Sequence, residues 1–262
     1  MGKMSGSLAD DMDYLNGQLG VGTNFDVLYR VVTIGGRNAC VYMIDGFCKD
    51  EVMQKLLQHF IGITEDKMPS DAHEMSKQLV PYGEVDLEDE WEKIEYSVMS
   101  GVVAMFIDGY DRCILIDART YPARGVAEPE KDKVLRGSKD GFVETIVFNT
   151  ALIRRRIRSP QLRMEMLKAG TNSQTDIVLC YMDDRVDRDF LEKIRSRINS
   201  LQVDALTLNQ ESLAECLYKR RWYNPFPKFK YSERPDTAAA QVLEGNIIIL
   251  VDNSPSVMIT PT

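Results

Sequence analysis

The run Ile247-Ile248-Ile249-Leu250-Val251 is uninterrupted apolar sequence, opened by Leu243-Glu244-Gly245 and closed by Asp252-Asn253-Ser254-Pro255. Bounded so tightly by a helix-stopping glycine and a turn, it reads as a buried strand; a bilayer span needs about 18 consecutive apolar residues. No apolar run in the chain reaches that length, and residues 1 to 16 lack the basic, then apolar, then small-residue order of a secretion signal. Taken alone, the chain is expected to be cytoplasmic.

Similar short signals recur along the chain. Residues 7 to 18 predict an amphipathic helix. Asp26 to Ile34 and Ala39 to Ile44, joined through Gly35-Gly36, predict a hairpin. Lys49 or Asp50 opens a helix to Ile61 whose Val52, Met53, Leu56, Leu57 and Phe60 form one apolar stripe. Further helices are expected after Pro69 and within 88–100, starting near Trp91. A second hairpin follows over 102–107 and 113–117, turning at Asp108-Gly109.

From Arg119 to Asp140 the sequence turns polar, with Pro122, Gly125, Pro129 and Gly137, which suggests a boundary between domains 1–139 and 140–262. The second half predicts a helix over 141–158, strands at 162–167 and 175–182, and a helix over 187–201. A short strand near 203–206, a helix over 210–218, a break at Pro225 and Pro227, a helix from Pro235 to Leu243 and the strand 246–251 complete it. The fold class is therefore α/β of mixed α+β type, with two small domains, each a mixed β-sheet with helices packed on it.

The net charge of −8 over 262 residues and a pI near 5.0 argue against non-specific nucleic-acid binding, which depends on cations neutralising phosphates. Cys40, Cys48, Cys113, Cys180 and Cys216 are widely spaced and read as reduced thiols. With His59 and His73 the only histidines, a histidine-rich zinc site is improbable.

Tyr181-Met182-Asp183-Asp184 offers adjacent carboxylates of the kind that clamp two metal ions in phosphoryl transfer. Asp187, Asp189 and Phe190-Leu191 follow, however, so capping of a helix start and a solvated turn is the better reading. Gly35-Gly36 and Ala169-Gly170-Thr171 lack the helix and Lys-Ser/Thr of a phosphate loop and read as turns. No catalytic, cofactor or metal residue is assigned.

The candidates that remain are contact residues. Arg154, Arg155, Arg156 and Arg158 surround the last turn of the expected helix, where they suit the negative helix end, an anionic lipid headgroup or a carboxylate of another subunit. In Ser232-Glu233-Arg234-Pro235-Asp236, Pro235 suits the first position of a helix. Arg234 is placed to meet Glu233, Asp236 or Glu244 in a structural clasp, or to hold a ligand carboxylate. Asp252-Asn253-Ser254-Pro255 reads as the turn after the apolar run, sending Val257-Met258-Ile259 back.

Several of these segments resemble, in the same order, the A-subunit family of bacterial spore germinant receptors, the GerA type. They are Phe142-Val143-Glu144-Thr145-Ile146-Val147-Phe148-Asn149-Thr150, the arginine run with Ser159-Pro160, Asn224-Pro225-Phe226-Pro227, Ser232 to Asp236, and 243–262. Family members continue into membrane-spanning helices, so the resemblance implies an amino-terminal region of an inner-spore-membrane protein, placed on the core (cytoplasmic) side. It implies no enzyme activity and no cofactor. The expected role is germination through subunit assembly, signal transmission or gating of ion and solute release. Expected partners are copies of itself, other germination membrane proteins and anionic lipid, with no nucleic acid. An alternative is a germinant sensor binding a small molecule in the cleft between the two domains.

Overall fold

The computed structural model describes residues 2–121, 140–201, 210–217 and 229–261. These divide into two compact units, and the division does not follow the sequence strictly. The first unit holds residues 2–22, Asp26–Tyr121 and Arg158–Pro160; the second holds Thr23–Phe25, residues 140–157 and residues from Gln161 onward. The expected strand near 203–206, the break at Pro225 and Pro227 and most of the expected boundary stretch 119–140 lie outside the described residues.

The first unit runs α1 (Leu8–Leu19), β1 (Val27–Ile34), β2 (Arg37–Ile44), α2 (Asp50–Ile61), α3 (Ala72–Gln78), β3 (Val85–Glu88), α4 (Trp91–Met99), β4 (Val103–Ile107) and β5 (Cys113–Ile116). Its strands form a five-stranded sheet in the order β1-β2-β4-β5-β3. Gly35 and Gly36 turn β1 into β2 with φ of 51° and 76°, the positive angles that two-residue hairpins favour. Space adds a second reason for glycine there. A Cβ on Gly35 would lie 2.6 Å from Cβ of Met68. α2 and α3 bury Met53, Leu56, Leu57, Phe60 and Met75 against one face of the sheet, while α1 and α4 cover the other.

The second unit runs α5 (Ile146–Arg154), β6 (Leu162–Ala169), β7 (Thr175–Met182), α6 (Arg188–Asn199), α7 (Gln210–Leu217), β8 (Lys230–Ser232), α8 (Pro235–Leu243), β9 (Ile247–Val251) and β10 (Val257–Thr260). The sheet order is β6-β7-β9-β10-β8. α5 and α8 pack on one face through Ile146, Leu152, Ala238 and Val242. α6 and α7 pack on the other through Leu191, Ile194, Leu213 and Leu217.

Two domains of sheet and helix are what the sequence pattern predicts, and the pairing is more specific than a mixed sheet. Every strand pairing in both sheets is antiparallel. Helices cover both faces of each sheet, so β4 and β9 are buried at every position, without the alternation of a half-exposed strand.

The structure shortens one expected helix and adds one strand. The helix expected over 141–158 is only Ile146–Arg154. Asn149 folds back, its Oδ1 accepting from the Val143 amide at 2.8 Å and its Nδ2 donating to the Val143 carbonyl at 2.6 Å, so Val143 is held outside the helix. β3, which the sequence reading passes over, pairs with β5 in register Val85↔Ile116 to Glu88↔Cys113. As the turn at 252–255 implies, Val257-Met258-Ile259 comes back antiparallel to β9, as part of β10, a fully buried strand lying between β9 and β8.

Candidate functional site

The residues singled out in the sequence converge best where the end of α5 meets the start of α8. Pro235 occupies the first turn of α8, with Arg234 as its N-cap, so proline's missing amide leaves no hydrogen bond unmade. The Ser232 hydroxyl accepts from the Arg234 amide at 3.1 Å. The Arg234 guanidinium grips Asp236 through both carboxylate oxygens, with Nε 3.0 Å from Oδ1. Burial tends to raise the Asp236 carboxyl, but the Arg234 hydrogen bond, the Thr237 amide and the charges of Arg234 and Arg156 outweigh it and hold it below the ordinary range.

Arg156 closes the cluster. Its Nη1 donates to the Leu152 carbonyl at 2.7 Å and its Nη2 meets Asp140 at 2.5 Å. The Glu233 carbonyl accepts from the Phe142 amide at 3.0 Å, tying the segment before α5 to the segment before α8. Arg156, Arg234, Asp236 and Asp140 thus form an internal clasp. Asp140 carries no signal in the sequence, because an ion pair across sixteen positions has no periodic signature.

The remaining candidates stand elsewhere. Arg154 is wholly buried, with Nη1 donating to the Leu162 carbonyl at 3.3 Å, whereas Arg155 is exposed. Arg158 belongs to the first unit and donates to the Tyr96 hydroxyl at 3.1 Å, which lowers the ionisation range of that phenol. Glu244 accepts from Gln241 at 2.8 Å at the opposite end of α8. Asp252 accepts from the Ile146 amide at 3.3 Å, and Asn253 donates to the Glu144 carbonyl at 2.8 Å, pinning the start of α5 to the β9–β10 turn.

The acidic motif after β7 is structural too. Asp187 caps α6 by accepting from the Phe190 amide at 3.0 Å. Asp183 meets Arg188 at 2.7 Å and Arg163 at 3.5 Å, and Asp184 faces Arg185 at 3.6 Å. Beside them, Arg195 holds both oxygens of Glu165 at 2.7 Å.

Two open grooves lie among the described residues of the first unit. An open groove of about 430 Å³ runs between α2 and the β1–β2 hairpin. A wider one of about 1060 Å³ is lined by Asp86, Glu88, Glu92, Lys93, Tyr96 and Arg158. Near it, carboxylate oxygens of Glu88, Asp89 and Glu90 lie within 4.8 Å of one another. They are already engaged: Lys93 bridges Glu88 and Glu90 at 3.5 and 3.1 Å, Lys3 meets Asp89 at 2.8 Å, and Glu88 accepts from two backbone amides. Burial pushes the Cys40 thiol up to about 12 and Cys113 well above the ordinary range, so both stay protonated and unreactive at neutral pH.

A family model described as Bacillus/Clostridium GerA spore germination protein matches residues 13–262. The chain belongs to the GerA spore germination family. Stage V sporulation protein AF of Bacillus subtilis (strain 168) is 40% identical over 97% of this chain and 52% of its own length. Spore germination protein KA of the same organism is 29% identical over 92% and 45%. The chain spans about half the length of the curated relatives it matches. Among solved structures, the N-terminal domain of the A subunit of the Bacillus megaterium spore germinant receptor GerK3 superposes with a TM-score of 0.75 at 27% identity, covering 100% of this chain and 97% of that one. This GerA-family chain therefore shares the fold of a receptor-subunit domain. No helix among its described residues is long and apolar enough to cross a membrane.

Proposed function

We propose that this chain is a non-enzymatic region of a spore-membrane protein, acting in germination by assembling with other subunits and passing a conformational signal between them. The carrying observation is the end-to-end likeness to the A-subunit domain of a germinant receptor, at an identity high enough to align both units. The chemistry of the described residues supports the same reading. Asp183, Asp187 and the Arg234–Asp236 pair are engaged in caps, clasps and ion pairs, and the Cys40 thiol is buried in protonated form, as a scaffold requires.

In this role the region lies on the core side of the inner spore membrane, and its partners are copies of itself and other germination membrane proteins. The test is to replace the natural protein in spores with one lacking residues 1–262 and to follow ion release and subunit crosslinking. Loss of both is expected. Normal germination with unchanged crosslinks would overturn the reading.

A further inference from the structure

β1 is an edge strand with an unused hydrogen-bonding side. Among the described residues it pairs only with β2. The Asp45 amide donates to the Asp26 carbonyl at 2.8 Å; because backbone direction alternates along a strand, this turns the amides of Val27, Tyr29, Val31 and Thr33 away from β2. Nothing described in the chain pairs with them. Natural edge strands are usually short, charged or covered, since a bare edge is a template for another chain. β1 has eight residues, and Leu28, Tyr29 and Val31 are 41%, 45% and 52% exposed.

The groove of about 430 Å³ lies directly beside this edge, walled by Leu28, Met43, Met53, Leu57 and Ile61, the last 49% exposed. Its charged groups are segregated. Asp45, half-buried, and Asp50, the first residue of α2, line it without an ion pair among the described residues, while Arg30 lines it from β1, four positions beyond Asp26. At roughly 3.3 Å per residue, this separates the acidic and basic positions by about 13 Å along the strand.

From this geometry we infer that the β1 edge and its groove dock an extended segment of a partner protein, which adds as a sixth strand and places a cation by Asp45 and Asp50, an apolar side chain mid-groove and a carboxylate by Arg30. Side chains at alternate positions of an added strand share one face, so a cation–x–apolar–x–anion pattern matches the spacing, with backbone hydrogen bonds supplying much of the affinity. Burial raises the Asp45 carboxyl against the opposing Gly46 amide, and the charges of Asp26 and Asp50 raise it further, so an arriving cation would favour its charged form. The inference gives the assembly role a surface and rests on that role for the identity of its partner.

The probe is a fluorescein-labelled, amidated heptapeptide, Thr-Lys-Thr-Val-Thr-Glu-Thr, titrated against the 262-residue chain by anisotropy, with a control in which glutamate replaces the lysine. Saturable binding of the first peptide is expected, at least tenfold tighter than the control. Val31→Pro removes an outward amide that β2 does not use, and is expected to weaken binding at least tenfold with an unchanged circular dichroism spectrum. Asp45→Asn with Asp50→Asn, folded by the same criterion, should abolish the preference for lysine. No saturable binding, or binding indifferent to Val31→Pro, would overturn the inference and leave the germination role to its own test in spores. Self-association of the chain that Val31→Pro abolishes would overturn it too, by assigning the edge to a second copy.

Discussion

At the scale of single residues, the Arg234–Asp236 pair shows how a motif with the look of a ligand site becomes part of the scaffold. Arg234 is 9% exposed, and its carboxylate partner lies within the same helix start. Asp236→Asn leaves a nearly buried guanidinium with a weaker partner and is expected to cost about 1–3 kcal/mol at pH 7 by urea denaturation. The sign of the pH dependence follows from the depressed carboxyl. Its contribution is fully present above the unfolded value of about 3.9 and is lost as pH falls through the lower folded value. The variant should therefore lose less stability than the wild type between neutral pH and the acid limb below about 4. An equal acid loss in both proteins would show that the pair does not titrate with folding. The clasp was legible in the sequence as Ser-Glu-Arg-Pro-Asp because capping and proline placement are local. Asp140 was not, because its pairing with Arg156 depends on where two distant segments happen to lie.

At the scale of elements, legibility followed locality in the same way. Hairpins with two-glycine turns, capped helices and the apolar runs of β4 and β9 all carry their cause within a few residues. β3 does not: Val85-Asp86-Leu87-Glu88 alternates too briefly to stand alone and becomes a strand because β5 offers an edge. The late start of α5 after Thr145 comes from Asn149 and Asp252 claiming the amides of Val143 and Ile146, which a longer helix would use. β9 is the element on which the second unit most depends, since it lies between β7 and β10 with helices on both faces. Ile249 is wholly buried, so Ile249→Ala should cost about 2–5 kcal/mol through lost contacts and a residual cavity. A denaturation midpoint within error of the wild type would mean that the surrounding core closes over the gap.

At the scale of the whole molecule, the arginine run changes meaning. Read in sequence, Arg154, Arg155, Arg156 and Arg158 look like a basic patch; in the fold one is buried, one meets Asp140 and one meets Tyr96, leaving Arg155 as the exposed member. A chain of net charge −8 with no concentrated patch from this run is expected to be repelled by an anionic bilayer once it comes within a Debye length of about 8 Å, beyond which salt screens the interaction. Co-sedimentation of the chain with phosphatidylserine vesicles at 0.15 M salt is expected to stay at background. Retention that Arg155→Ala abolishes would return the run to a lipid-binding role.

Thr23–Phe25 carries a consequence for anyone who would divide this chain. The Asn24 side chain accepts from the Met164 amide at 2.7 Å and the Phe25 amide donates to the Met164 carbonyl at 3.1 Å, so these residues lie along the outer side of β6. Arg158–Pro160 makes the reciprocal exchange. No single cut yields two self-sufficient pieces. A fragment beginning at residue 140 would bare the β6 edge and invite the sticking that such edges cause, while one ending at 139 would lose Arg158 from beside Tyr96. The border between the units is a property of the path of the chain, and no one residue number marks it.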